Sequence, residues 1–112
     1  MATLNSDINS QSADYQAKAS AMQELVKDLQ WQVSEVIKGG GEKYQSKHLA
    51  RGKLLPRERI EQLLDAASPF LELSQLAAYG MYDMSIPSAG IICGIGLVEG
   101  RHCMVIANDA TV

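Results

Sequence analysis

Residues 90–112 read GIICGIGLVEGRHCMVIANDATV. Ile91, Cys93, Ile95 and Leu97 alternate with Ile92, Gly94, Gly96 and Val98, and neither set is polar. An alternating run that is apolar on both sides predicts a strand that needs cover on both faces. Glu99-Gly100 supplies a two-residue turn, since glycine tolerates positive φ. His102 to Ala107 forms the returning strand, and Asn108-Asp109-Ala110-Thr111 is the loop that leaves the sheet at its carboxyl end. The period of two then puts Ile92, Val98, Val105 and Ala107 on one face of the hairpin. Ile91, Ile95, Leu97, Met104 and Ile106 fall on the other. Two such strands need partners that 112 residues supply sparingly, so the chain reads as the front piece of a larger protein.

The chain is one domain at most, and 46% of its residues are apolar, a globular rather than disordered composition. The net charge is −3, which argues against nucleic acid. That charge is uneven. From Glu42 to Arg59 there are six Lys or Arg and two Glu, a net of +4, leaving −7 for the remainder. Such a block is a solvated helix face or the meeting place for a phosphorylated ligand or acidic partner. Cys93 and Cys103 point to opposite faces of the hairpin, so they cannot bridge within it. Free thiols suit a reducing compartment. The sequence has no apolar run of membrane-spanning length and no signal or transit peptide, so a cytoplasmic protein, with no membrane, is expected.

Working toward the N-terminus, residues 74–89 form an irregular excursion and Phe70-Leu71-Glu72-Leu73 a short strand. Ser68-Pro69 breaks a helix that opens at Pro56, whose buried face is Ile60, Leu63 and Leu64, with Arg57 and Arg59 turned elsewhere. Glu42 to Ala50 is a second short helix, closed by Arg51-Gly52. Gly39-Gly40-Gly41 is a helix stop and hinge, because a phosphate loop needs a different spacing. Ser10 to Lys38 is a long helix capped by Ser10 or Ser12. Met22, Leu25, Val26, Leu29, Val33, Val36 and Ile37 recur at steps of three and four, giving it an apolar stripe for the core or a partner helix. Residues 1–9 are frayed.

The residues assemble no catalytic constellation and no metal-ligand spacing. His48 and His102 are single, and a hydrogen-bonded structural role suits His102 in mid-strand. Gly94-x-Gly96-x-x-x-Gly100 lies in a strand and turn with no helix after it, so it is no dinucleotide fingerprint. Glycines on one face of a buried strand instead admit a close-packed neighbour. Serines 85 and 88 sit in no nucleophile elbow.

Residues 20–112 resemble the start of the carboxyltransferase (β) subunits of biotin-dependent acyl-CoA carboxylases, the methylcrotonyl-CoA branch above all. The resemblance is carried by Ala50-Arg51-Gly52-Lys53-Leu54-Leu55 with Arg57-Glu58-Arg59-Ile60, by Ser68-Pro69-Phe70-Leu71-Glu72-Leu73, and by Asn108-Asp109-Ala110-Thr111-Val112. Geranyl-CoA carboxylases are close as well. The resemblance implies an α/β fold, α+β within this stretch. Residues 1–38 would be a helical segment, and 39–112 the truncated start of the N-terminal crotonase-like domain. It implies that biotin, carried on a biotin carboxylase or carrier subunit, delivers CO2 to the γ-carbon of an enoyl-CoA. The thioester enolate would be held by backbone N–H groups of later glycine-rich loops. The stretch itself is then inert, with no catalytic residue, within a homo-oligomeric enzyme. Arg51 and Lys53 are the candidates for a CoA phosphate, and Asn108, Asp109, Ala110 and Thr111 for the wall of the substrate pocket. The competing reading is a free-standing module that pairs through the 10–38 helix and catalyses nothing.

Overall fold

The two apolar runs and the turn between them fold as the period-two pattern requires. In a computed structural model that describes residues 2–112, the elements in chain order are α1 (Ala13–Ile37), α2 (Glu42–Leu49), α3 (Pro56–Leu63), β1 (Leu71–Leu73), β2 (Ile91–Val98) and β3 (Arg101–Asn108). The three strands form one antiparallel sheet in the order β1-β2-β3. Glu99 and Gly100 both take positive φ, 52° and 72°, as a two-residue hairpin turn demands. The register pairs Gly96 with Cys103 and Cys93 with Ile106. The two cysteines therefore lie on opposite faces, and both are free.

The chain divides into two units, one ending at Trp31 and one spanning Gln32–Val112. In the first, Ser12 caps α1: its hydroxyl accepts the Tyr15 N–H at 3.2 Å and donates to the Asn9 carbonyl at 2.8 Å. Asp14 pairs with Lys18 one turn later, at 2.8 Å. No residue of α1 is buried, and Met22, Leu25, Val26 and Leu29 all stand exposed. Among the described residues of this unit, α1 is the one helix and there is no strand. Residues 2–9 have no regular structure.

In the second unit α3 lies across β2 and β3. Pro56 occupies its first turn, and the Leu55 N–H is held by the Glu58 carboxylate at 2.8 Å. The core is Ile60 (5% exposed), Ile92 (3%) and Val105 (8%), ringed by Leu64, Phe70 and Ala107. Leu63, read as part of the buried face, is exposed. The helix ends there, and Leu64 has already left helical geometry (φ −75°, ψ 152°) and turns in where Leu63 cannot. Arg57 is not idle either. Its guanidinium grips the Glu72 carboxylate through two bonds of 2.7 and 2.9 Å, tying α3 to β1.

Gly94 and Gly96 do what strand glycines on one face do. A Cβ on Gly94 would lie 2.5 Å from both the Leu71 carbonyl and the Phe70 ring, and one on Gly96 would run into Leu64. The hairpin turn is clamped by Asp65, whose two carboxylate oxygens accept the Glu99 and Gly100 N–H groups at 2.7 Å each. The Asp65 N–H in turn donates to the Leu97 carbonyl at 2.9 Å. Among the described residues, no helix is long and apolar enough to cross a membrane.

Candidate functional site

The carboxyl end of β3 runs straight into the loop Asn108-Asp109-Ala110-Thr111, and the four residues are used differently. Asp109 donates its N–H to the Gly90 carbonyl at 2.8 Å. One oxygen of its carboxylate accepts both the Thr111 N–H (2.9 Å) and the Thr111 hydroxyl (2.6 Å). The Thr111 oxygen meanwhile accepts the Gly40 N–H at 3.0 Å, and Thr111 is buried. Asn108 is exposed and sits opposite Ile91, on the side of the sheet away from α3. Ala110 is exposed.

Ala110 and Thr111 form one wall of a cleft of about 670 Å³. The rest of its lining includes Met84, Ser85, Ile86, Pro87 and Ala89, with Gly39, Gly40 and Tyr44. Residues 84–89 fall in the stretch that the sequence shows only as an irregular excursion. Ser88, Ala89 and Gly90 are three successive left-handed residues (φ 50°, 52° and 74°). Backbone held so far from its usual regions persists only when its surroundings fix it. Here the Ser88 hydroxyl donates to the Gln75 carbonyl at 3.1 Å and the Ala89 N–H to the Ala77 carbonyl at 3.1 Å.

Arg51 and Lys53 lie on the exposed link between α2 and α3, and neither forms an ion pair among the described residues. The end of that link does reach the loop. A small cavity of about 30 Å³ is bounded jointly by Gln45, Leu55, Pro56, Asp109 and Thr111. His48 borders the same link, its Nε2 lying 3.1 Å from the Leu54 carbonyl. His102 stands exposed on β3 rather than hydrogen-bonded in the interior, because its position faces the uncovered side. Among the described residues no cluster of three or more His, Cys, Asp or Glu could hold a metal ion.

Another hollow, of about 630 Å³, lies between α3 and the turn before β1, lined among others by Arg57, Ile60, Leu64, Asp65 and Phe70. It shares no residue with the loop, and two of its polar side chains, Arg57 and Asp65, are engaged with Glu72 and with the hairpin turn.

Residues 47–112 match the family model of the carboxyl transferase domain. The chain belongs to the carboxyl transferase family. It is 52% identical over 110 residues to a probable mitochondrial methylcrotonoyl-CoA carboxylase β chain of Drosophila melanogaster, covering 97% of this chain and 19% of that one. It is 56% identical over 88 residues to a biotin-dependent 3-methylcrotonyl-coenzyme A carboxylase β1 subunit of Mycobacterium tuberculosis, covering 79% and 17%. The crystal structure of the Pseudomonas aeruginosa geranyl-CoA carboxylase β subunit superposes with a TM-score of 0.84 at 34% identity, covering 97% and 20%. The chain thus spans about a fifth of the length of these relatives. The mixed α/β character and the resemblance read from residues 20–112 agree with these likenesses.

Proposed function

We propose that this chain is the N-terminal part of the carboxyltransferase subunit of a biotin-dependent acyl-CoA carboxylase, which moves CO2 from carboxybiotin to 3-methylcrotonyl-CoA in leucine degradation. The observation that carries the reading is the 52% identity to a methylcrotonoyl-CoA carboxylase β chain along 97% of this chain. Residues 1–38 form its leading helical segment and 39–112 the start of its first crotonase-like domain. It acts in the cytoplasm of a bacterium, as a homo-oligomer, with a partner subunit that carries the biotin. Carboxybiotin would reach it as a substrate: its N–CO2 bond would break as the new bond forms to the γ-carbon of the acyl-CoA, and the proton lost from that carbon would end on the freed biotin nitrogen.

Within this chain the work is binding. Arg51 and Lys53 meet a phosphate of CoA as free, solvent-facing cations. The loop 108–111 walls the substrate pocket beyond the strand's carboxyl end. Interactions of this kind hold ground state and transition state alike. Arg51→Ala with Lys53→Ala therefore raises KM for the acyl-CoA several-fold and leaves kcat near wild type. Carboxyl transfer by the complete subunit with its biotin-carrying partner tests the reading. It is measured with 3-methylcrotonyl-, geranyl- and propionyl-CoA. The expected result is the highest kcat/KM for 3-methylcrotonyl-CoA. Preference for propionyl-CoA, or no transfer to any thioester, contradicts it. The 112-residue chain alone, lacking N–H groups gathered at an enolate, is expected to be inert with carboxybiotin supplied.

A further inference from the structure

The four residues at the end of β3 divide into two that are free and two that are spent. Thr111 stands in the middle of a relay: Gly40 N–H to its oxygen at 3.0 Å, and its own O–H to the Asp109 carboxylate at 2.6 Å. Asp109 carries a second bond from the Thr111 N–H, and its backbone is anchored to Gly90. Asp109 Oδ1 takes both bonds from Thr111, and the Thr111 hydroxyl both donates and accepts, so the two side chains are engaged in holding the loop to itself and to Gly40.

The other end of the relay is equally specific. A Cβ on Gly39 would sit 2.6 Å from the Asp109 carboxylate and 2.9 Å from the Thr111 hydroxyl oxygen. One on Gly40 would fall on the Thr111 backbone carbonyl itself. Gly39 also takes a positive φ of 54°. The loop thus seats in a socket that only glycine can form.

From this geometry we infer that Asp109 and Thr111 are positioning residues, seated in the Gly39-Gly40 socket, and that they set the place of Ala110 on the wall of the substrate cleft. Ala110 is the member of the loop that meets the apolar part of an acyl-CoA. This rests on the function proposed above. Met84, Ile86, Pro87 and Ala89 also line the cleft, whose described lining has no Lys or Arg and only Ser85, Tyr44 and Thr111 as polar side chains; that suits an acyl or pantetheine chain rather than phosphates.

The test uses the complete carboxyltransferase with its biotin-carrying partner, and reads KM and kcat for the acyl-CoA beside the melting temperature. Thr111→Val keeps the shape and removes the hydroxyl. It is expected to raise KM on the order of tenfold, while Thr111→Ser, which keeps the relay, restores the wild-type KM. Ala110→Leu projects into the cleft from an exposed position. It is expected to raise KM by a similar factor without lowering the melting temperature, so a folding failure at position 111 does not decide the matter. Two results overturn the inference while leaving the function standing: an active enzyme in which Ala110→Leu leaves KM unchanged, or one in which Thr111→Val lowers only the melting temperature. A wild-type enzyme that carboxylates no acyl-CoA overturns the function and the inference together.

Discussion

On one side of the three-stranded sheet Ile92, Val105 and Ala107 meet Ile60, Leu64 and Phe70. On the other, Leu71, Ile91, Met104 and Ile106 stand exposed, the last two at 57% and 69%. Both sides are apolar, so hydrophobicity does not choose between them. Relief does. The covered side carries Gly94 and Gly96, and their missing side chains leave the trough into which the Phe70 ring and Leu64 fit. The open side presents a Cβ at every position of β2. A single short helix covers a sheet where the sheet is hollow, and an apolar face stays exposed on the other side.

The comparison is broken most severely by charge. Ile92→Asp places an uncompensated carboxylate in the small core and is expected to cost more than about 3 kcal/mol, enough to abolish cooperative unfolding in urea. Ile106→Asp, the same chemistry on the open side, is expected to change stability by no more than about 0.5 kcal/mol. Equal effects at both sites would mean that the sides are not different.

Next come the glycines. Gly94→Ala and Gly96→Ala each overfill the trough, by about 1–3 kcal/mol. They differ in cure. Gly96 faces the flexible end of Leu64, so Leu64→Ala relieves it. Gly94 faces the Leu71 carbonyl as well as the Phe70 ring, so no side-chain trimming restores it. A double-mutant cycle in urea reads both. A smaller loss follows Asp65→Ala, which releases the N–H groups of Glu99 and Gly100 to water. About 1–2 kcal/mol is expected, with faster hydrogen exchange confined to those two amides and their neighbours.

Much of this was legible because it is local. The alternation of Ile91 to Val98, the Glu99-Gly100 turn and Pro56 at a helix start are all short-range signals, and all three elements form. The uncovered side follows from the same period of two, given one helical layer. Where the reading fell short, the partner lay far along the chain. Gly39-Gly40-Gly41 looked like a stop and hinge, and it is that locally. Nothing near position 40 announces a bond to Thr111, 71 residues on. Asp65 reads as an unremarked acidic residue until the hairpin turn, 34 and 35 positions later, comes to rest on it. Leu63 differs from its expected burial for a subtler reason: helical periodicity counts past the residue at which the helix ends. Of the six candidate ligand residues, Arg51, Lys53 and Ala110 stand exposed and free. Asp109 and Thr111 are turned inward, and Asn108 is turned to the open side of the sheet.

The smallest effect on stability comes from lysine on the open side, and it is the most informative. Met104→Lys with Ile106→Lys removes no packed contact, so unfolding in urea is expected to shift by no more than about 0.5 kcal/mol per site. What changes is association. Light scattering of the 112-residue chain across a concentration series is expected to show a molar mass that rises for the wild type and stays at one copy for the double variant. A wild-type chain that remains a single copy throughout, yet unfolds cooperatively, would contradict the claim that one side of this sheet is finished and the other is not.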